Sequence, residues 1–170
     1  PVTADPNPAN AGSIYQGSNS VWRTQDWGGD PAYLEANCSE FTTSSADAAC
    51  GDFERIGPAG HTQLTANDAL YGGADRSGTF VAAIERGSDT STIWAATGTG
   101  RVFVSKNVDA DPAAAVSWTR IDNATTPNRY PSSIYVDAGD GNHAWISYSG
   151  FDANTPATPG HLFEVTYNPA

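Results

Sequence analysis

Apolar residues fall along this chain in short runs separated by turns rich in Gly, Asp, Ser and Pro. The clearest pattern is a repeat. Residues 80–98, FVAAIERGSDTSTIWAATG, lie over residues 131–149, PSSIYVDAGDGNHAWISYS, without a gap at an offset of 51. In this overlay Val81 meets Ser132, Ala83 meets Ile134 and Ile84 meets Tyr135. Ile93 meets Ala144, Trp94 meets Trp145 and Ala96 meets Ser147. Each copy reads as strand, turn, strand, and such self-similarity points to a repeat architecture.

The pattern extends beyond the matched stretch. A third apolar run follows a Gly-containing turn three times, at Val21-Trp22-Arg23-Thr24, Val102-Phe103-Val104-Ser105 and Leu162-Phe163-Glu164-Val165-Thr166. A fourth run follows the first two of these, at Phe53-Glu54-Arg55-Ile56 and Trp118-Thr119-Arg120-Ile121. The unit is therefore four short strands joined by turns. Trp94 and Trp145, in register on second strands, and Trp22, aligned with Phe103 and Phe163, are expected in the core. No sustained helical stripe is present. Tyr33–Ala36 or Ala46–Ala49 is expected to form one helical turn at most.

Many short strands with Gly and Pro punctuation indicate an all-β sandwich, barrel or propeller. At 170 residues the chain is long enough for a sizeable core. The net charge of −11 is dispersed, and only seven Arg and one Lys are scattered along the sequence. That argues against nucleic acid as a ligand, because phosphate contacts need clustered cations. No run approaches the roughly 18 apolar residues of a membrane helix.

Cys38 and Cys50 are the only cysteines, in a polar Ser/Ala-rich loop. An even count in an exposed loop predicts a disulfide and an oxidising compartment, hence a secreted or cell-surface protein. The chain begins abruptly at Pro1 with no signal peptide, as expected of a mature secreted protein or an excised fragment.

The four-strand unit, with its third strand running into a polar turn, resembles the blade of a sialidase-like β-propeller with BNR or Asp-box repeats. The family's turn reads Ser/Thr-x-Asp-x-Gly-x-Thr-Trp between the third and fourth strands. Here Thr24-Gln25-Asp26-Trp27-Gly28 and Ser105-Lys106-Asn107-Val108-Asp109 match it degenerately, with Phe53 and Trp118 as delayed aromatics. Val2-Thr3-Ala4-Asp5-Pro6-Asn7-Pro8 matches the end of the family's first strand and its following turn. The resemblance implies an all-β fold, a partial β-propeller of about two and a half to three four-stranded antiparallel blades. The expected divisions are a truncated blade at 1–57 carrying the Cys38–Cys50 loop, a linker at 58–78, a complete blade at 79–122, and a blade lacking its last strand at 131–170. Fewer than three blades do not close a ring of about four to eight. Remaining blades from another chain or segment, or self-association, are therefore expected partners.

Catalytic chemistry is hard to find in this sequence. A sialidase-type site needs an Arg cluster to clamp a carboxylate, and Arg23, Arg101 and Arg129 are the candidates, expected at the surface or at strand ends. A glycosidase needs two carboxylates about 5 to 9 Å apart. The sequence-adjacent pairs Asp26/Asp30, Asp109/Asp111 and Asp137/Asp140 lie in turns, where Asp usually caps backbone. Asn107-x-Asp109-x-Asp111 spaces three oxygen ligands on alternate residues, as in the first half of a calcium loop. Its residues are the candidate Ca2+ ligands, although Pro112 stands where the loop should continue. His61, His143 and His161 are isolated. Trp27 does not repeat and precedes Gly28-Gly29, with Tyr33 nearby, so both are candidates for stacking on a sugar ring.

Two functions follow as expectations. One is an arc of a secreted or cell-surface propeller that binds glycan or protein without catalysis. The other is a fragment of a propeller glycoside hydrolase whose carboxylates lie partly outside this chain.

Overall fold

The computed structural model describes residues 1–38, 50, 52–89, 91–150 and 158–169. The described residues form an all-β molecule of eleven strands in three antiparallel sheets. The first sheet joins β1 (Val2–Ala4), β2 (Ile14–Gly17), β3 (Val21–Thr24) and β4 (Glu54–Arg55) in chain order. The second joins β5 (Val81–Arg86), β6 (Ile93–Thr97), β7 (Val102–Ser105) and β8 (Thr119–Arg120). The third joins β9 (Pro131–Val136), β10 (His143–Tyr148) and β11 (Leu162–Thr166). The recurrent third run is thus β3, β7 and β11, and the fourth runs form β4 and β8. Among the described residues the three sheets do not close on one another into a barrel or ring.

Sheet two is packed on both faces. Toward sheet one, Ile84, Ala95 and Phe103 meet Tyr15 and Val21, with Leu64, Tyr71 and Trp118 filling in from loops. Toward sheet three, Trp94, Ala96 and Val104 meet Ile134, Val136, Ala144 and Ile146. Burial on both faces explains why VAAI, IWAAT and VFVS read as continuous apolar runs. A strand with one wet face alternates instead, and β10 and β11 do so. First strands neighbour first strands in the stack, since β5 lies against both β1 and β9.

Pairing across each sheet defines equivalent rows. Thr3, Tyr15, Arg23 and Glu54 form one row across sheet one. Glu85, Trp94, Val104 and Thr119 form the corresponding row of sheet two, and Tyr135, Trp145 and Glu164 that of sheet three. Each row faces away from the preceding sheet. This corrects the ungapped overlay. Gly87 N–H closes the first turn on Thr92 O, whereas Asp137 N–H closes the second on His143 O, one residue further on. β6 and β10 correspond at the offset of 51 read from the sequence, while Ile84 corresponds to Ile134 rather than to Tyr135. A one-residue slip reverses the face of every side chain in a strand. Tyr135 is consequently 59% exposed, while Ile134 is core.

One further departure concerns local structure. Residues Pro31–Asn37 form a two-turn helix, α1, longer than the single turn expected. Asp30 caps it by accepting from Tyr33 N–H at 2.9 Å, and Pro31 occupies the first turn, where its missing N–H costs nothing. The alternative turn at Ala46–Ala49 lies outside the described residues. Segment 58–78 is folded onto sheet two, with Leu64 and Tyr71 buried. The Cys38–Cys50 disulfide is formed, with Cα atoms 5.6 Å apart. Among the described residues no helix is long and apolar enough to cross a membrane.

Candidate functional site

The two polar turns after β3 and β7 share one contact, a hydroxyl donating to the side-chain oxygen two residues on. Thr24 Oγ1 donates to Asp26 Oδ1 at 2.9 Å and accepts from Gly28 N–H at 3.0 Å. Ser105 Oγ donates to Asn107 Oδ1 at 3.2 Å, and the same oxygen accepts from Ser117 N–H at 2.9 Å. Asn107 also donates to Ala115 O at 2.9 Å. Short polar side chains here replace backbone partners that the turn leaves without a ladder. Trp118 packs beneath, its indole N–H directed at Ile56 O at 3.3 Å.

The candidate calcium residues have separate employments. Asn107 serves its own turn. Asp109 lies between the first two sheets, where Oδ1 accepts from the Tyr15 hydroxyl at 2.6 Å and Oδ2 from Arg86 Nη2 at 2.8 Å. The same guanidinium reaches Asp5 at 3.0 Å, and three backbone carbonyls accept from its Nη1. Burial, reinforced by Asp109, pushes the Tyr15 phenol up, so it stays a proton donor. Asp111 is exposed and precedes the cis bond to Pro112. A calcium ion on this triplet would compete with Tyr15 and Arg86 for Asp109. Among the described residues no three His, Cys, Asp or Glu side chains gather as a metal site.

The arginines are neither surface residues nor a clamp. Arg23, Arg101 and Arg129 are 1%, 0% and 6% exposed. Each holds a different loop by its carbonyls. Arg23 donates to Val108 O and Ala110 O and pairs with Glu54. Arg101 donates to Leu64 O, Ala66 O, Gly73 O and Asp75 O at 2.6–2.9 Å. Arg129 donates to Gly150 O, Thr158 O and Gly160 O. A planar fork of five donors suits this task better than the single ammonium of Lys.

The sequence-adjacent carboxylates hold local turns. Asp26 accepts from Thr24, Asp30 caps α1, Asp137 accepts from Gly139 N–H at 2.7 Å and Asp140 from Asn142 N–H at 2.9 Å. His61 meets Asp68 at 2.6 Å, which holds that carboxyl below the usual range, and His161 approaches Tyr148 O. Trp27 is 68% exposed with φ at +66°, between the backbone of Asp26 and two glycines also at positive φ. That conformation is uncommon for a bulky residue. Tyr33 lies on α1 and is 38% exposed.

A group that the sequence did not reveal lies on the outward face of sheet three. Trp145 stacks between Tyr135 and His143, with ring centroids 5.7 and 4.3 Å away. His143 bridges two carboxylates, Glu164 at 2.9 Å and Asp137 at 3.4 Å. The expectations that Trp145 is core like Trp94 and that Trp22 is core like Phe103 are therefore corrected, Trp22 being half-buried on the outward face of sheet one. Trp94 is fully buried between sheets, whereas Trp145 keeps one side open. Comparison with protein-family models, curated proteins and solved structures finds no match to this chain.

Proposed function

We propose that this chain is an arc of a sialidase-like β-propeller, secreted or displayed at a cell surface, and that it serves as a binding scaffold for glycan. The blade interpretation is supported by three meander sheets stacked in chain order with first strands adjacent. The paired Thr24/Asp26 and Ser105/Asn107 turns support it as well. The disulfide favours an oxidising compartment.

The observation that carries the binding role is Trp27. Its indole stands 68% exposed on left-handed backbone, an arrangement that costs about 1–3 kcal/mol, with its Nε1 edge beside Gly12 and most of the ring open to solvent. A flat apolar ring held away from the core can stack on the C–H face of a sugar. The buried arginines are committed to backbone carbonyls, so they do not form a carboxylate clamp.

The test is a glycan-binding screen followed by Trp27→Ala. Binding without turnover, lost in Trp27→Ala, supports the scaffold. Turnover of aryl glycosides that disappears in Asp26→Asn would instead establish a propeller glycoside hydrolase.

A further inference from the structure

Each second strand carries one aromatic in the same row, on the face away from the preceding sheet. Tyr15 donates its hydroxyl to Asp109, in the loop after β7, at 2.6 Å. Trp94 donates its indole N–H to Gly141 O, in the turn before β10, at 2.8 Å. Trp145 occupies the same row position in sheet three. Its indole N–H has no acceptor among the described residues. The third connector in the series is built and points away from the molecule.

Sheet one carries the matching half. Val2, Gln16, Trp22 and Arg55 form the row on its free face. The corresponding rows, Ile84, Ala95, Phe103 and Arg120 in sheet two and Ile134, Ile146 and Phe163 in sheet three, receive the preceding sheet. Val2 is 67% exposed, and Arg55 lies 5.4 Å over the Trp22 ring. The two free faces complement each other in order. First strands pair apolar Tyr135 with Val2, and third strands set Glu164 against Trp22 and its Arg55. A carboxylate beside a stacked guanidinium is a favourable pairing.

We infer that the Trp145 face of sheet three docks on the Trp22 face of a second copy of this chain, head to tail. This rests on the propeller-arc proposal. Heterologous contacts make a ring when the rotation closes. Two copies of three sheets give six, within the range of about four to eight in which propellers close, whereas three copies give nine. In the ring, a carbonyl of the turn before β2 accepts from Trp145, as Gly141 O accepts from Trp94.

The test is native mass by analytical ultracentrifugation of the full chain. A mass about twice 17.8 kDa is expected. Glu164→Arg and Arg55→Glu alone should each halve it, and the two together should restore it. Trp145→Ala should also halve it, and because the ring is not wedged between sheets its loss leaves the fold intact. A wild-type monomer, a ladder of larger assemblies, or a dimer indifferent to all three substitutions would overturn the inference. A crystal structure of the Trp145→Ala protein separates this from the broader proposal. If β1, β5 and β9 are neighbours there, the arc stands whatever the mass; any other packing of the sheets removes both.

Discussion

Tyr15 and Asp109 are 94 residues apart in sequence, yet the hydroxyl of one lies 2.6 Å from the carboxylate of the other. This bond ties the second strand of sheet one to the loop after β7. Arg86, buried at the end of β5, neutralises the carboxylate from the opposite side. A hydrogen bond to a charged group is worth about 1.5–3 kcal/mol. Tyr15→Phe keeps the ring in the core and removes only the hydroxyl. It should lower the unfolding free energy by about 2 kcal/mol. Urea denaturation measures this, and an unchanged midpoint would show that the bond contributes nothing net.

Alkaline pH should act through buried phenols. Burial pushes Tyr71 up to about 12, and it pushes Tyr15 and Tyr148 up as well. An unfolded tyrosine ionises near pH 10 (about 10.0). Above that pH the folded chain therefore binds more protons than the unfolded one, and linkage makes stability fall as pH rises. The contribution is intact below about pH 10 and is lost as pH climbs through the folded values. Thermal midpoints taken across this window should decline, and the decline should be shallower in Tyr15→Phe. Tyrosinate absorbance should show three late-titrating groups; uniform titration near the ordinary value would contradict the assignment.

Arg101 organises the segment that joins the first two sheets. Its guanidinium satisfies four carbonyls between Leu64 and Asp75 while itself fully buried. Lys retains the charge but offers a point donor in place of a fork. Arg101→Lys leaves buried carbonyls unpaired, each at a cost of about 1–3 kcal/mol. A loss of about 3 kcal/mol or more is expected by chemical denaturation. Trypsin should also cut faster at Arg76, whose guanidinium is otherwise held by Asp122 and the carbonyls of Asn123 and Thr126. Equal resistance in the variant would place the anchoring of this segment elsewhere.

Local pattern made β3, β7 and β11 legible in the sequence, because an apolar run after a Gly-containing turn identifies a strand wherever it recurs. The same evidence failed at Tyr135. The extra residue sits inside a turn of Gly and Asp, where nothing apolar marks the insertion, so an ungapped overlay assigns the wrong face. The helix at Pro31–Asn37 exceeds the one turn expected at Tyr33–Ala36 because Asp30 caps it and Pro31 opens it, while no apolar stripe marks its length. The arginines were illegible for another reason. Their partners are backbone carbonyls of loops, such as Gly73 O for Arg101, and a carbonyl carries no residue identity. Asp109 appeared to be one of three alternate oxygens, whereas its partners come from β2 and β5, far away in sequence.

The Cys38–Cys50 disulfide follows α1 directly and closes a loop with a sequence separation of 12. Cross-linking a loop of this length removes chain entropy from the unfolded state worth about 3 kcal/mol. The helix itself leans on the fold lightly: none of its residues is buried, and Leu34 lies over Gly29, where an added Cβ would meet it at 3.6 Å. Reduction should therefore lower global stability by about 3 kcal/mol through the unfolded state, while leaving the three sheets in register. Urea unfolding with and without reductant gives the first quantity, and amide hydrogen exchange gives the second. Protection should persist in β5–β7 and fall only around α1. Loss of protection across β5–β7 on reduction would mean instead that the disulfide holds the sheet stack together in the native state.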